Sequence, residues 1–456
     1  MERKKITTEF PDAKKWGGQI QNWMDGLPTD IYARYDSTEL RSREKQLAEM
    51  IGTSDAALFN SGMGAIVTAM EAEELKSGDV VLCGKDVYSE TAKYFKDLKK
   101  RGIRIILIDS GNAEEIEQAI GRERPRLIVL ESTGNSPEMP VCDLKRLGKN
   151  AKEANNFYHA ELNPKKSLKL YLERHELLKK LPEDFQEGLL QNIEEFRKGQ
   201  NPFVFRDAVK KFEKLLQTPT RSIAVKGIAE IAKFISNRSR EKLSLIVDNT
   251  LSSPAIRNPF KELEGSGVEM VVVESGTKHY QKGQDKITLG IAYSNKGEKI
   301  ERIRAERAKL GTYLQPVAEK EIPTDIAEAM PEIMKRHGGN ALTLARILEK
   351  SGNVLDVGHP NLEKHKNSEI AKEIAPEGLV SVFYIQVPDA EKFVGKVKEL
   401  GGDSIGIGGS FGHPKTWLFN LGENNVRIAA GSESPEEFEK ILDIFKQAVA
   451  QINEDK

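Results

Sequence analysis

Cysteine is nearly missing from this chain. Only Cys83 and Cys142 occur in 456 residues, which excludes a disulfide framework and suits a reducing, cytoplasmic setting. An excess of one charge is missing too. The 69 Lys+Arg against 70 Asp+Glu leave no global field to draw nucleic acid or an anionic membrane. No apolar run reaches the ~18 residues that a membrane span needs. The opening Met1-Glu2-Arg3-Lys4-Lys5 leads into no apolar segment, so neither a membrane helix nor a secretory leader is expected. The 7 His are scattered, without HExxH or CxxC, so no metal site is expected. What is present, 38% hydrophobic and 30% charged residues, is the balance of a soluble globular chain with room for two or three domains.

After an aromatic arm carrying Trp16, Trp23 and the segment Tyr32-Ala33-Arg34-Tyr35, a regular alternation begins. Strands are expected at 56–59, 80–83, 103–108 and 127–130, with helices at 37–50, 65–75, 88–100 and 113–120. Such alternation implies a mostly parallel sheet with helices on both faces, which binds ligands at the carboxyl ends of its strands. From about 144 to 225 strand signals vanish. Helical patterns at 167–180, 185–198 and 205–217 read as a helical insertion, and residues 155–240 hold 17 Lys+Arg against 11 Asp+Glu. A solvated helical subdomain or a surface for an acidic partner would both account for that excess. The alternation returns with a helix at 228–235 and strands at 243–247 and 288–293. Two antiparallel strands, 379–387 and 425–430, with helices at 389–400 and 435–452 make a small C-terminal α+β domain. The expected division is therefore an arm and first helix at 1–50, a large α/β domain at 51–300 interrupted near 144–225, and a connector with a small domain at 301–456.

One stretch organises the rest. In Val271-Val272-Val273-Glu274-Ser275-Gly276-Thr277-Lys278-His279-Tyr280, an apolar β-branched run stops at two hydroxyls, a glycine and a lysine. Hydroxyls at a strand-ending turn suit a phosphate. A partly dry lysine has a lowered pKa and can act as a nucleophilic amine. Together they are parts of a pyridoxal-phosphate site. The turn Ser61-Gly62-Met63 between a strand and a helix would aim backbone N–H groups at the phosphate. Asp248 follows a buried strand, where it could pair with a protonated ring nitrogen. The loop Gly406-Ile407-Gly408-Gly409-Ser410-Phe411-Gly412 does not fit GxGxxG and precedes no expected helix, which argues against a dinucleotide fold.

Taken in order, these segments resemble the cysteine/methionine-metabolism family of pyridoxal-phosphate enzymes, which includes cystathionine γ-synthase, cystathionine lyases and methionine γ-lyase. The resemblance implies the aspartate aminotransferase-like fold (fold type I). It implies that Tyr32 and Arg34 reach the cofactor phosphate of a neighbouring subunit, and that Gly62 and Met63 hold the phosphate through their backbone. Tyr88 would stack on the pyridine ring, Asn135 would approach its phenolic oxygen, and Asp248 would pair with its nitrogen. Ser275 and Thr277 would bind phosphate, and Lys278 would form the Schiff base. Ser404 and Arg427 would grip the substrate carboxylate. Departures fall on the loops that face substrate and subunit. Asp36-Ser37-Thr38-Glu39 stands where the family has Gly-Asn-Pro-Thr, Gly283-Gln284-Asp285-Lys286 where it has Gly-His-Ser-Asp, and His279 where a tyrosine usually follows the lysine. Glu90 stands where methionine γ-lyases commonly have cysteine.

The implied activity is transsulfuration-type chemistry on sulfur-containing or homoserine-derived amino acids, by β/γ-elimination or γ-replacement. Lys278 would take the Cα proton, with Tyr88 or the neighbour's Tyr32 aiding proton traffic. A homodimer or homotetramer with shared sites is expected. The alternative is a regulatory protein on the same scaffold that uses the helical insertion to bind a partner.

Overall fold

A computed structural model describes residues 37–161 and 242–451. The chain divides into two units, Met1–Gly148 with Ser244–Lys456, and Lys149–Leu243. All that follows concerns the first. The arm with Tyr32 and Arg34, and the helices expected at 167–235, lie outside the described residues.

The first unit is built on a seven-stranded sheet of order β1-β7-β6-β5-β4-β2-β3. Its strands are β1 (Asp55–Phe59), β2 (Val80–Gly84), β3 (Arg104–Ile108), β4 (Leu127–Glu131), β5 (Ser244–Asp248), β6 (Glu269–Ser275) and β7 (Gly290–Ser294). The pairs β2/β3, β2/β4, β4/β5 and β5/β6 are parallel. Only β7 is reversed, antiparallel to both β6 and β1. The strands are short runs of Ala, Val, Ile and Leu because both faces are covered. Val81, Cys83, Leu127, Val129, Val271 and Val273 join one buried cluster, and their alternates Leu82, Ile128, Leu130, Met270 and Val272 are buried as well. Continuous apolar runs are what a parallel sheet covered on both faces requires.

The longer helices of this half are α1 (Thr38–Ile51), α2 (Gly62–Glu71), α3 (Ser89–Lys100), α4 (Ala113–Glu123), α5 (Leu144–Glu161) and α6 (Gly297–Leu310). Caps fix their starts. Ser37 Oγ accepts from Leu40 N, Ser61 Oγ from Gly64 N, and Asn112 Oδ1 from Glu115 N, each cap contributing about 1 kcal/mol. A buried ion cluster clamps α1 to the sheet. Glu44 Oε2 accepts from Arg304 Nη2 at 2.8 Å, and its Oε1 accepts from Arg307 Nη1 at 2.5 Å and Leu58 N at 2.8 Å.

After α7 (Ile326–Lys350) a second sheet forms, of order β10-β11-β12-β9-β8. Its strands are β8 (Asp356–Gly358), β9 (Val382–Gln386), β10 (Gly406–Ile407), β11 (Trp417–Asn420) and β12 (Asn425–Ala429), and α8 (Ala390–Gly401) and α9 (Pro435–Gln451) pack with it. The expectation of two antiparallel strands is thus corrected to five. The antiparallel pair β9/β12 is the centre. The three additional strands, two to four residues each, are too short to show a period-two pattern. Among the described residues no helix is long and apolar enough to cross a membrane.

Candidate active site

Because β1, β2, β4, β5 and β6 run the same way, their carboxyl ends share one edge of the sheet. There Ser61, Gly62, Met63, Tyr88, Glu131, Asn135, Asp248, Ser275, Thr277 and Lys278 line a cavity of about 300 Å³, closed from the small sheet by Gly409, Phe411 and Arg427. Residues more than 350 positions apart in sequence thus meet at one edge, where a parallel sheet presents its strand ends.

Each side chain has a local reason for its position. Asp248 is the last residue of β5, and Thr250 turns back on it. Thr250 N and Oγ1 both donate to Asp248 Oδ1, at 2.9 and 2.5 Å. Burial raises the carboxyl's pKa, opposed by these two bonds. Both use Oδ1, so Oδ2 keeps the capacity to accept from a cationic donor. Ser275 ends β6, and its N–H donates to Thr250 Oγ1 at 2.9 Å. The Thr277 hydroxyl accepts from Leu289 N at 2.8 Å, which fixes the turn that delivers Lys278. At the start of α2, Ser61 caps Gly64, and Ala65 N donates to Ser61 O. The amides of Gly62 and Met63 remain as helix-end donors beside the cavity. A Cβ on Gly290 would meet Ser61 O at 2.0 Å, so only glycine lets β7 pass this turn. Tyr88, the residue before α3, is 45% exposed at the mouth, where its ring is free to cover a flat ligand.

Lys278 Nζ donates to Ser410 Oγ at 3.1 Å. Its pKa is lowered, first by burial and also by Arg427, while Asp285 pulls the other way. Arg427, on β12, donates to Gly409 O and lies 5.6 Å from the Phe419 ring centre. The glycine-rich loop passes directly over the lysine backbone. Gly412 has φ +83°, and a Cβ there would meet Lys278 O at 2.2 Å.

Below the site lies a buried polar layer. Asn249 accepts from Ser132 Oγ at 2.7 Å and donates to Glu274 Oε1 at 3.1 Å. Tyr280 OH bonds Glu274 Oε2 at 2.5 Å and the Tyr293 hydroxyl at 2.8 Å. Burial pushes Glu274 up to about 8. Arg257 donates to Ser132 O at 2.6 Å and Cys142 O at 2.5 Å, and pairs with Glu262 at 2.8 Å. This layer ties together the loops after β4, β5 and β6 on which Asn135, Asp248 and Lys278 ride. His279 faces away from the cavity into the protein, packed against His337 and Phe411 with ring centres 5.9 and 5.5 Å away.

Of the residues singled out in the sequence, Gly62, Met63, Tyr88, Asn135, Asp248, Ser275, Thr277, Lys278 and Arg427 meet at the cavity. Ser404 does not. It sits exposed in the turn Gly402–Ser404, and the serine that reaches the lysine is Ser410. The turn closes α8 before the loop bends inward, which holds Ser404 back. Glu131 is a site residue that sequence reasoning left in an unassigned edge segment. It is buried, and its Oε1 accepts from Tyr88 N at 2.6 Å. Burial, then the neighbouring Asp248, push its pKa well above the carboxylate range. Glu131 and Asp248 are register partners on β4 and β5, so the two cannot both ionise cheaply.

Fold and site together define an α/β protein that presents one lysine, one buried carboxylate and one arginine to a single cavity at its sheet edge. The profile of the family described as Cys/Met metabolism PLP-dependent enzyme matches residues 21–160 and 196–415, and the chain belongs to that family. It is 33% identical over 140 residues to an L-methionine gamma-lyase of Porphyromonas gingivalis, spanning 30% of this chain and 34% of that protein. With a Bos taurus cystathionine gamma-lyase it shares 21% identity over 440 residues, 92% of this chain and 84% of that protein. The match thus spans about a third of the bacterial lyase and most of the mammalian one. A crystal structure of cystathionine gamma synthase from Xanthomonas oryzae pv. oryzae superposes with a TM-score of 0.63 at 18% identity, covering 93% of this chain and 88% of that one, which shows a shared fold.

Proposed function

We propose that this chain is a pyridoxal-phosphate enzyme of the transsulfuration type, acting on sulfur-containing or homoserine-derived amino acids by β/γ-elimination or γ-replacement. The observation that carries the reading is Lys278, with its lowered pKa, in one cavity with buried Asp248 and with Arg427. The residues fit the cofactor. Amides of Gly62 and Met63 with the hydroxyls of Ser275 and Thr277 suit a phosphate, the mouth-exposed Tyr88 ring suits a pyridine face, and Asp248 Oδ2 suits a ring N–H⁺. Bound there, the cofactor supplies an electron sink for the bond broken at the substrate's Cα.

The chain's own groups do the rest. Arg427 chelates the substrate carboxylate through its planar fork. Lys278, biased by burial toward the free amine, takes the Cα proton and carries it to the leaving side. Phe411 and the glycine-rich loop close the cavity toward the small sheet. Tyr32 and Arg34 are assigned to a neighbouring subunit's phosphate site, which makes a homodimer or homotetramer part of the reading. A reducing, cytoplasmic setting is consistent with the free, buried Cys83 and Cys142.

The test is to load the purified protein with cofactor and offer cystathionine, methionine, cysteine and homoserine esters. Release of 2-oxobutyrate, pyruvate or thiol is expected, and Lys278→Ala should slow it about a thousandfold. Turnover by Lys278→Ala at the wild-type rate would sink the assignment. A wild-type protein that takes up no cofactor would favour a non-enzymatic regulatory scaffold.

A further inference from the structure

Tyr384 was not among the residues that the sequence singled out, and it does not belong to the sheet that carries the lysine. It lies on β9, is 5% exposed, and is the register partner of Arg427 on β12. Its hydroxyl bonds Asn135 Oδ1 at 2.7 Å, across 249 residues of sequence. The Arg427 guanidinium lies beside the same hydroxyl.

These contacts fix the direction of the protons. A guanidinium has donors only. A hydroxyl facing it must use a lone pair there, which leaves its single proton for the other neighbour. Burial raises the phenol's pKa despite Arg427, so that proton stays on the oxygen at neutral pH. The Asn135 group that meets it must then be the carbonyl. The backbone of Asn135 is held independently, its N–H donating to Asp86 O at 2.8 Å. With backbone and Oδ1 both fixed, the Nδ2 amine is left to serve the cavity that Asn135 lines.

We infer that Tyr384 is a positioning residue that sets the amide of Asn135, so that an N–H donor rather than a carbonyl faces the phenolic oxygen of the bound cofactor. The inference rests on the function proposed above. It also joins the carboxylate clamp to the cofactor ring through one chain of donors, Arg427 to Tyr384 to Asn135. Without the phenol the amide is free to turn over, and a carbonyl turned inward repels the phenolate it should stabilise.

The experiment is a pH titration of the visible absorption of the cofactor-loaded protein, with cofactor Kd measured alongside. In Tyr384→Phe the titration midpoint should rise by about one pH unit and Kd about tenfold. Asn135→Ala should show the same shift. The double variant should add nothing further, because one residue acts through the other. A Tyr384→Phe midpoint equal to wild type, an unshifted Asn135→Ala protein, or additive shifts in the double variant would each overturn the inference and leave the proposed function standing. If Tyr384→Phe does not fold, the Asn135→Ala titration decides alone. A wild-type protein that acquires no visible band overturns both.

Discussion

Lys278 can act as a base because its surroundings are dry and because Arg427 adds a second cation. The fork of Arg427, with Tyr384 beside it, should not be replaceable by a point charge. Arg427→Lys should raise KM for the amino-acid substrate about 10–100-fold with a smaller change in kcat. Steady-state kinetics check this. His279 makes a pH prediction. Burial lowers its pKa to about 3, and that of His337 to about 4. The folded protein therefore stays neutral at these rings while the unfolded chain begins to bind protons near ~6.5. Stability falls as pH drops from there toward the folded values, by about 1.4 kcal/mol per unit for each ring. His279→Phe should remove one of these contributions and move acid unfolding to lower pH, as followed by circular dichroism. At this scale Lys278, Asp248 and Arg427 were legible because each is a polar residue in or directly after an apolar strand. Glu131, Ser410 and Tyr384 were not, because what makes them part of the site is a partner from a distant segment. Ser404 was misread because Ser404 and Ser410 flank one glycine-rich loop, and only its path shows which turns inward.

At the scale of elements, α1 is held by charge as well as by apolar contact. Glu44 is fully buried between Arg304 and Arg307. Burial opposes its ionisation, but Arg307 and Arg304 outweigh it and the pKa is lowered. The resulting stability is present above the unfolded carboxylate's pKa of about 4.3 and is lost as pH falls below it. Glu44→Ala should cost about 3–5 kcal/mol in urea unfolding, since two buried guanidinium groups lose their counter-charge. The strands of the large sheet were legible to within a few residues, because runs such as Leu127–Glu131 are apolar on both faces. The small sheet was legible only in β9 and β12. Strands as short as β8 and β10 owe their existence to the neighbours they pair with, which no local pattern records.

For the whole molecule, the edge of the large sheet supplies the lysine, the carboxylates and the phosphate-side donors, while the second sheet supplies Arg427, Tyr384 and the glycine-rich loop. The family profile spans both. The departures at His279, Gly283–Lys286 and the glycine-rich loop lie around Lys278 and toward the small sheet. They leave the cofactor-side residues Asp248, Ser275 and Thr277 untouched, so substrate identity is where this chain should differ from its relatives. The central claim is that Lys278 carries the cofactor. Protein incubated with pyridoxal phosphate, reduced with borohydride and mapped by mass spectrometry tests it most directly. The account predicts the cofactor mass on the peptide containing Lys278, lost in Lys278→Ala. The same mass on another lysine, or on none, would contradict it.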